Sequence, residues 1–167
     1  YDVTKFLTPG ENKVAVRIDN RIKDVDPGIN AHSITDHTQS NWNGIVGEIS
    51  LKAKGKIYFE NVEIFPDAES KTAEIRATVV NSFFEPKTAD LSATAMLKST
   101  GESYGSKQQE VTLSPGENVV IMNYYLGEEA LLWDEFNPNV YQLDFDLKSG
   151  KETDQASIDF GLRDFKV

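Results

Sequence analysis

Apolar and polar residues alternate with a period of two along most of this chain. Val14, Val16 and Ile18 alternate with Ala15 and Arg17 in residues 13–19. In residues 71–80, Ala73, Ile75, Ala77 and Val79 point one way and Glu74, Arg76 and Thr78 the other. Leu91, Ala93, Ala95 and Leu97 repeat the device against Ser92, Thr94 and Lys98. It is clearest where Tyr141, Leu143, Phe145 and Leu147 are set against Gln142, Asp144, Asp146 and Lys148. Successive side chains of a strand point to opposite faces, so each run has one buried and one wet face, as in antiparallel sheets. A further strand is predicted over 45–53. Helical spacing is confined to residues 128–135, about two turns long, where a short helical turn is predicted.

Turn signals fall at strand-like intervals. Thr8-Pro9-Gly10-Glu11-Asn12 precedes one strand and Ser114-Pro115-Gly116-Glu117-Asn118 another. Proline presets φ at the second turn position and glycine accepts a positive φ at the third, so both predict type II turns. Their flanks do not repeat, so shared turn chemistry explains the match without an internal duplication. Two zones result. Residues 56–167 alternate strands and turns regularly, over a length that suits an immunoglobulin-like β-sandwich. Residues 1–55 hold two strands, separated by the long polar stretch 20–43. Two strands cannot close a core, so this zone is expected to be the last part of a sandwich whose earlier strands are missing. The fold class is all-β.

The composition narrows the function. Of the 167 residues, 39% are hydrophobic, enough to build a core. Seventeen basic against 27 acidic residues give a net charge of -10. Such a surface repels phosphate backbones and anionic membranes, so no nucleic acid and no membrane is expected as a partner. The absence of cysteine excludes disulfides, thiolate metal sites and thiol nucleophiles. No apolar run approaches the roughly 20 residues of a membrane-spanning helix. The chain starts at Tyr1 without Met and ends on Asp164-Phe165-Lys166-Val167, and both ends are expected to be cuts in something longer.

Few residues carry catalytic chemistry. His32 and His37 lie five apart, which on a strand places them on opposite faces, so joint metal ligation is not favoured and ordinary loop histidines are expected. Asp24-Val25-Asp26-Pro27-Gly28 lacks the further acidic positions of a calcium loop and is read as a turn. Asp144 and Asp146 share one strand face and are expected on the wet side of an edge or outer strand. No chosen carboxylate pair sits where an apolar pocket would raise one pKa, as an acid/base pair in a glycosidase requires. Hence no catalytic residue, metal or cofactor is expected. The segment Asp36-His37-Thr38-Gln39-Ser40-Asn41-Trp42-Asn43 sets amides and a carboxylate beside an indole. Polar groups of this kind match sugar hydroxyls, and a flat ring matches a pyranose face. The same residues suit a loop anchored by a buried Trp42, and chemistry alone puts that reading first. Trp133 is expected to be a core anchor followed by a proline turn.

Four motifs then stand in order along the whole chain. Leu132-Trp133-Asp134-Glu135-Phe136-Asn137-Pro138-Asn139-Val140-Tyr141 resembles the "LW…NPNLY" signature of glycoside hydrolase family 2, late in that family's immunoglobulin-like domain. Phe160-Gly161-Leu162-Arg163-Asp164-Phe165 resembles the "FGFR" strand that leads into its catalytic barrel. Tyr1-Asp2-Val3-Thr4, followed by residues 7–17, resembles a late strand pair of its sugar-binding jelly roll. Trp42-Asn43-Gly44-Ile45-Val46-Gly47-Glu48-Ile49-Ser50-Leu51 resembles that jelly roll's last strand, where relatives read "GIYRDVYL"; Val46-Gly47 departs from their aromatic and Arg.

The resemblance implies that residues 1–55 are the C-terminal part of a sugar-binding jelly roll and 56–167 the immunoglobulin-like domain. It also implies that both catalytic glutamates lie in a barrel outside this chain. The expected function is that of a non-catalytic accessory region of a retaining glycosidase acting on terminal β-linked sugars. Its expected partners are the barrel and the rest of the jelly roll of the same parent chain, with the parent's carbohydrate substrate. The resemblance carries Asp36, His37, Gln39, Asn41 and Trp42 over as substrate contacts in the intact enzyme. Exposed strand edges in 1–55 are expected to dock on the second domain or to form a homodimer. A bacterial periplasm or cell exterior is the expected location. The competing functions are a free-standing carbohydrate-binding or adhesion module and, from another class, a self-contained hydrolase using His32 or His37.

Overall fold

Period-two patterning beyond residue 56 becomes a run of seven strands in the computed structural model, which describes residues 1–19 and 44–164. They are β1 (Ile57–Asp67), β2 (Thr72–Asn81), β3 (Lys87–Leu97), β4 (Ser103–Leu113), β5 (Gly116–Tyr125), β6 (Tyr141–Ser149) and β7 (Glu152–Phe160). All pairings are antiparallel. One sheet has the order β1-β2-β5 and the other β4-β3-β6-β7. The two sheets face each other across a shared apolar core, which makes a three-over-four β-sandwich. Its crossovers are those of an immunoglobulin-like Greek key, with the fourth strand paired to the third.

Alternation sets the register. Ala73, Ile75, Ala77 and Val79 of β2 are buried and face Leu91, Leu143, Phe145 and Leu147 of the opposite sheet, while the residues between them are half-buried or exposed. A one-residue slip would turn every one of these side chains to solvent. Asp144 and Asp146 lie on the outer face of β6, as the alternation requires, but β6 is an interior strand rather than an edge. Asp144 accepts hydrogen bonds from Ser157 Oγ at 2.6 Å and Gln142 Nε2 at 3.1 Å.

At one seam of the sandwich β1 packs against β7, and both are edge strands. Carboxylates from β7 and beyond cap the open edge of β1. Glu152 accepts from the Lys56 N–H at 2.7 Å, Asp154 from the Phe59 N–H at 2.9 Å, and Asp164 from the Ala68 N–H at 2.9 Å. The Phe59 bond falls where the β1–β2 register shifts, so Asp154 satisfies an amide beside the bulge. Lys54 Nζ adds a salt bridge to Asp154 at 2.7 Å. An edge satisfied in this way offers fewer free amides to another chain. Asp154→Ala is expected to cost about 1.5–3 kcal/mol, the range for a hydrogen bond to a charged group whose partner is left unpaired. Urea unfolding at neutral pH measures it; a loss below about 0.5 kcal/mol would show that water replaces the carboxylate.

Chain contacts separate Tyr1–Leu51 from Lys52–Val167. The strands expected over 13–19 and 45–53 are not formed; the described part of the first unit holds one 3₁₀ turn, Thr4–Phe6. Val14, Val16, Ile18, Ile45, Val46, Ile49 and Leu51 are exposed. Alternation favours a strand only where a neighbouring strand takes its backbone N–H and C=O groups. Both Pro-Gly turns do form, with φ of 101° at Gly10 and 91° at Gly116. The asparagine two residues on clamps each of them. Asn12 Oδ1 accepts from the Thr8 N–H and its Nδ2 donates to the carbonyls of Thr8 and Gly10. Asn118 does the same with Ser114 and Gly116. The repeated five-residue pattern is therefore a self-contained turn motif.

Candidate functional site

The loop candidates Asp36, His37, Gln39, Asn41 and Trp42, with His32 and residues 24–28, lie outside the described residues. Among the described residues no group of three or more His, Asp or Glu side chains is placed to hold a metal ion. Where carboxylate pKa values move, at Asp2, Asp67, Glu85 and Asp134, hydrogen bonds to neighbouring side chains and amides hold them below the usual range. A glycosidase general acid needs the opposite, upward shift.

Seven alternating strands bring the chain into the sandwich at one end and out at the other. The entry end has a shallow cavity of about 390 Å³ lined by Phe83, Lys87, Thr88, Ser149, Gly150, Lys151 and Glu152. The Phe83 ring lies under Lys56 and Lys87 at 5.0 and 4.9 Å. Lys87 is paired with Glu85 at 2.5 Å, so its charge is already answered.

The exit end carries the more highly organised structure, the 126–140 loop between β5 and β6. The helical turn expected over 128–135 is absent. Partners outside any helix take the backbone groups that a helix would use. The Tyr141 hydroxyl accepts from the Leu131 N–H at 2.7 Å and donates to the Leu131 carbonyl at 3.1 Å. This is the tyrosine corner of immunoglobulin-like sandwiches, a tyrosine opening the sixth strand and bonding back to the chain upstream. Burial pushes the Tyr141 phenol pKa up, consistent with a hydroxyl kept neutral for this double role.

Beyond that brace the loop folds on itself. Asp134 Oδ1 accepts from the N–H groups of Phe136 at 2.8 Å and Asn137 at 2.7 Å, and the Asp134 N–H donates to the Asn137 carbonyl. Asn139 Nδ2 donates to the Leu132 carbonyl at 2.8 Å. Trp133 bridges to Pro138 and donates its N–H to the Leu162 carbonyl at 2.9 Å. Its indole is half-buried, with the Arg163 guanidinium 4.5 Å from the ring. A Cβ on Gly161 would meet the Trp133 side chain at 3.0 Å, so a larger residue there would require the indole or the 161–163 segment to shift by a few tenths of an ångström. The proline turn after Trp133 forms as its sequence context suggests, but Trp133 is half-buried and outside the apolar core, and it anchors the loop to residues 161–163 instead. Residue patterning alone does not single out the roles of Tyr141, Asn139 and Arg163. The available signal is a tyrosine at the first strand position after Asn-Pro-Asn.

The chain belongs to glycosyl hydrolases family 2, whose family model matches residues 57–163. Among solved structures it is similar to a β-glucuronidase of Bacteroides uniformis, with 19% identity and a TM-score of 0.54 over 65% of this chain and 14% of that one. It is also similar to a glycosyl hydrolase family 2 member from Bacteroides cellulosilyticus, with 22% identity and a TM-score of 0.54 over 66% of this chain and 16% of that one. At these identities the likeness speaks to the fold. The chain therefore spans about one seventh of the length of these solved relatives. No curated protein matches it.

Proposed function

We propose that this chain is a non-catalytic accessory region of a retaining glycosidase, with hydrolysis of terminal β-linked sugars carried out by a barrel elsewhere in the same polypeptide. The observation that carries this reading is the family match over the whole sandwich, 57–163, in a domain that corresponds to about one seventh of the similar solved enzymes. In this reading residues 1–55 are the C-terminal part of a sugar-binding jelly roll and 56–167 the immunoglobulin-like domain. Asp36, His37, Gln39, Asn41 and Trp42 would reach the terminal sugar only in the intact enzyme, in a bacterial periplasm or outside the cell.

The test is the full open reading frame. A barrel needs about 250 further residues, and the parent is expected to release nitrophenol from an aryl β-glycoside, with glucuronides and galactosides assayed first. The pure 167-residue chain is expected to release none and to bind none of these sugars tightly. Nitrophenol release by the pure chain would overturn the proposal. Low-micromolar binding by it would favour a free-standing carbohydrate-binding module.

A further inference from the structure

The cavity at the entry end of the sandwich has walls that are fastened before anything binds there. One wall is the turn after β2. Asn81, only 1% exposed, uses its whole amide on that turn. Its Nδ2 donates to the Glu85 and Leu113 carbonyls and its Oδ1 accepts from the Phe83 N–H, each at 3.0 Å. The Ser82 N–H ties the turn to the Lys56 carbonyl at 2.8 Å, and Glu152 holds the Lys56 N–H. The other wall is the turn between β6 and β7, where Ser149 Oγ donates to the Thr88 carbonyl at 2.6 Å. The volume between them, about 390 Å³, falls within the range of small-molecule sites, about 300–1,000 Å³. Walls fixed in advance lose little conformational entropy when a ligand settles against them.

Three ammonium groups gather here in a chain of net charge -10. Lys56 and Lys87 are seated on the Phe83 ring, and Lys151 lines the cavity. Glu85 answers Lys87, but among the described residues Lys56 and Lys151 make no ion pair. Against the overall charge of the chain, an anion is drawn to this end. A bare ion would use only the ammonium groups, whereas the cavity offers more. The half-exposed Phe83 ring presents an apolar surface to C–H groups. Ser149 Oγ, already donating to Thr88, has lone pairs left to accept from a ligand hydroxyl, and so have the Thr88 hydroxyl and the Glu152 carboxylate. Ammonium groups for an anion, oxygen acceptors for hydroxyls and a ring for C–H groups together match a sugar acid. We propose that this cavity is a binding site for a sugar that carries an anionic group, a carboxylate or a sulfate ester. The site goes beyond the function proposed above and does not rest on it, since every residue in it belongs to the sandwich.

The experiment titrates the 167-residue chain at low salt and follows its backbone amides by NMR. Four probes share one frame: galacturonate, galactose 6-sulfate, neutral galactose and inorganic sulfate. Galacturonate or galactose 6-sulfate is expected to move the Phe83, Thr88, Gly150 and Lys151 amides saturably, with a Kd on the order of 1 mM. The tighter of the two names the anionic group. This affinity is far below the low-micromolar level that would indicate a free-standing binding module, so the two tests stay distinct. Galactose and inorganic sulfate should each bind at least about tenfold more weakly. Lys56→Gln and Lys151→Gln should each weaken binding about two- to fivefold, the range for an ion pair at an exposed ammonium. Lys107→Gln, which removes an ammonium that donates to the Asn123 carbonyl instead, should leave it unchanged. Three results would overturn the proposal. They are no saturable shift with either sugar acid, equal binding of galactose, and equal binding of inorganic sulfate, which would reduce the site to a patch for any anion. The comparison of the four probes on the unsubstituted chain decides this even where a lysine variant fails to fold.

Discussion

Tyr124→Phe is expected to destabilise the sandwich by about 2–4 kcal/mol although it removes a single oxygen, because two buried backbone groups lose their partner at about 1–3 kcal/mol each. The β3–β4 register shifts between Thr94 and Ala95, and Gly105 is the extra residue on β4, with φ of 67°. The ladder is broken there, and the Tyr124 hydroxyl, reaching across from the other sheet, fills the gap. It accepts from the Ala95 N–H at 2.9 Å and donates to the Tyr104 carbonyl. Phenylalanine keeps the ring packing and leaves both groups bare. Gly105 completes the arrangement, because a Cβ there would clash with the Tyr125 carbonyl oxygen and stand 3.2 Å from the Tyr124 hydroxyl. Alkaline pH gives a second readout. Burial raises the Tyr124 pKa above the ordinary phenol value, so the folded state prefers the neutral phenol. That contribution is fully present below the unfolded-state pKa of about 10 and is lost as pH rises through the folded value. The stability gap between the native protein and Tyr124→Phe, measured by urea unfolding, should therefore narrow above about pH 10. A loss below about 0.5 kcal/mol at neutral pH would mean that water enters the bulge and satisfies both groups.

Local alternation makes much of this fold legible in the sequence wherever neighbouring strands agree with it. Residues 71–80, 91–97 and 141–147 read as strands with one buried face, and each falls within or against β2, β3 or β6. The same alternation misleads at Val14–Val16–Ile18 and in 45–53, because period-two spacing encodes which face would be buried but not whether another strand lies alongside. Residues 128–135 mislead for a related reason. Their spacing suits a helix, but the backbone groups go to Tyr141, Leu162 and Asn137, partners that only the tertiary fold supplies. The cap of β1 by Glu152, Asp154 and Asp164 is not visible either, since the carboxylates lie nearly a hundred residues from the amides they accept from. For the site, the Trp133 segment stands out by its likeness to a family motif, and the structure adds how that segment is held, through the Trp133 backbone N–H on the Leu162 carbonyl. The chemistry of residues 36–42 rests on residue types alone, because those residues lie outside the described structure.

Phe145→Ala is expected to be the most damaging single core substitution, at about 3–5 kcal/mol. The reason lies in its neighbours as much as in the ring. On β6, Phe145 stands opposite Ala93 of β3 on one side and Ala156 of β7 on the other. Two alanines leave the lateral room that lets the fully buried ring extend across the interior to Phe59 of the facing sheet, where the rings stack at 4.9 Å with planes 23° apart. Truncation therefore opens a void flanked by side chains too short to fill it, and the cost of a cavity rises with how little its walls collapse. It also strands Phe59, whose N–H is fixed by Asp154, so its backbone is not free to follow the missing ring. Thermal unfolding of the variant should come on the order of 15 °C lower, taking about 4 °C per kcal/mol for a domain of this size. Phe145→Leu should recover part of the loss by returning volume to the same place. A Phe145→Ala protein that melts within a few degrees of the native one would show that Ala93 and Ala156 do not hold the strands apart, and that the sheets close over the gap.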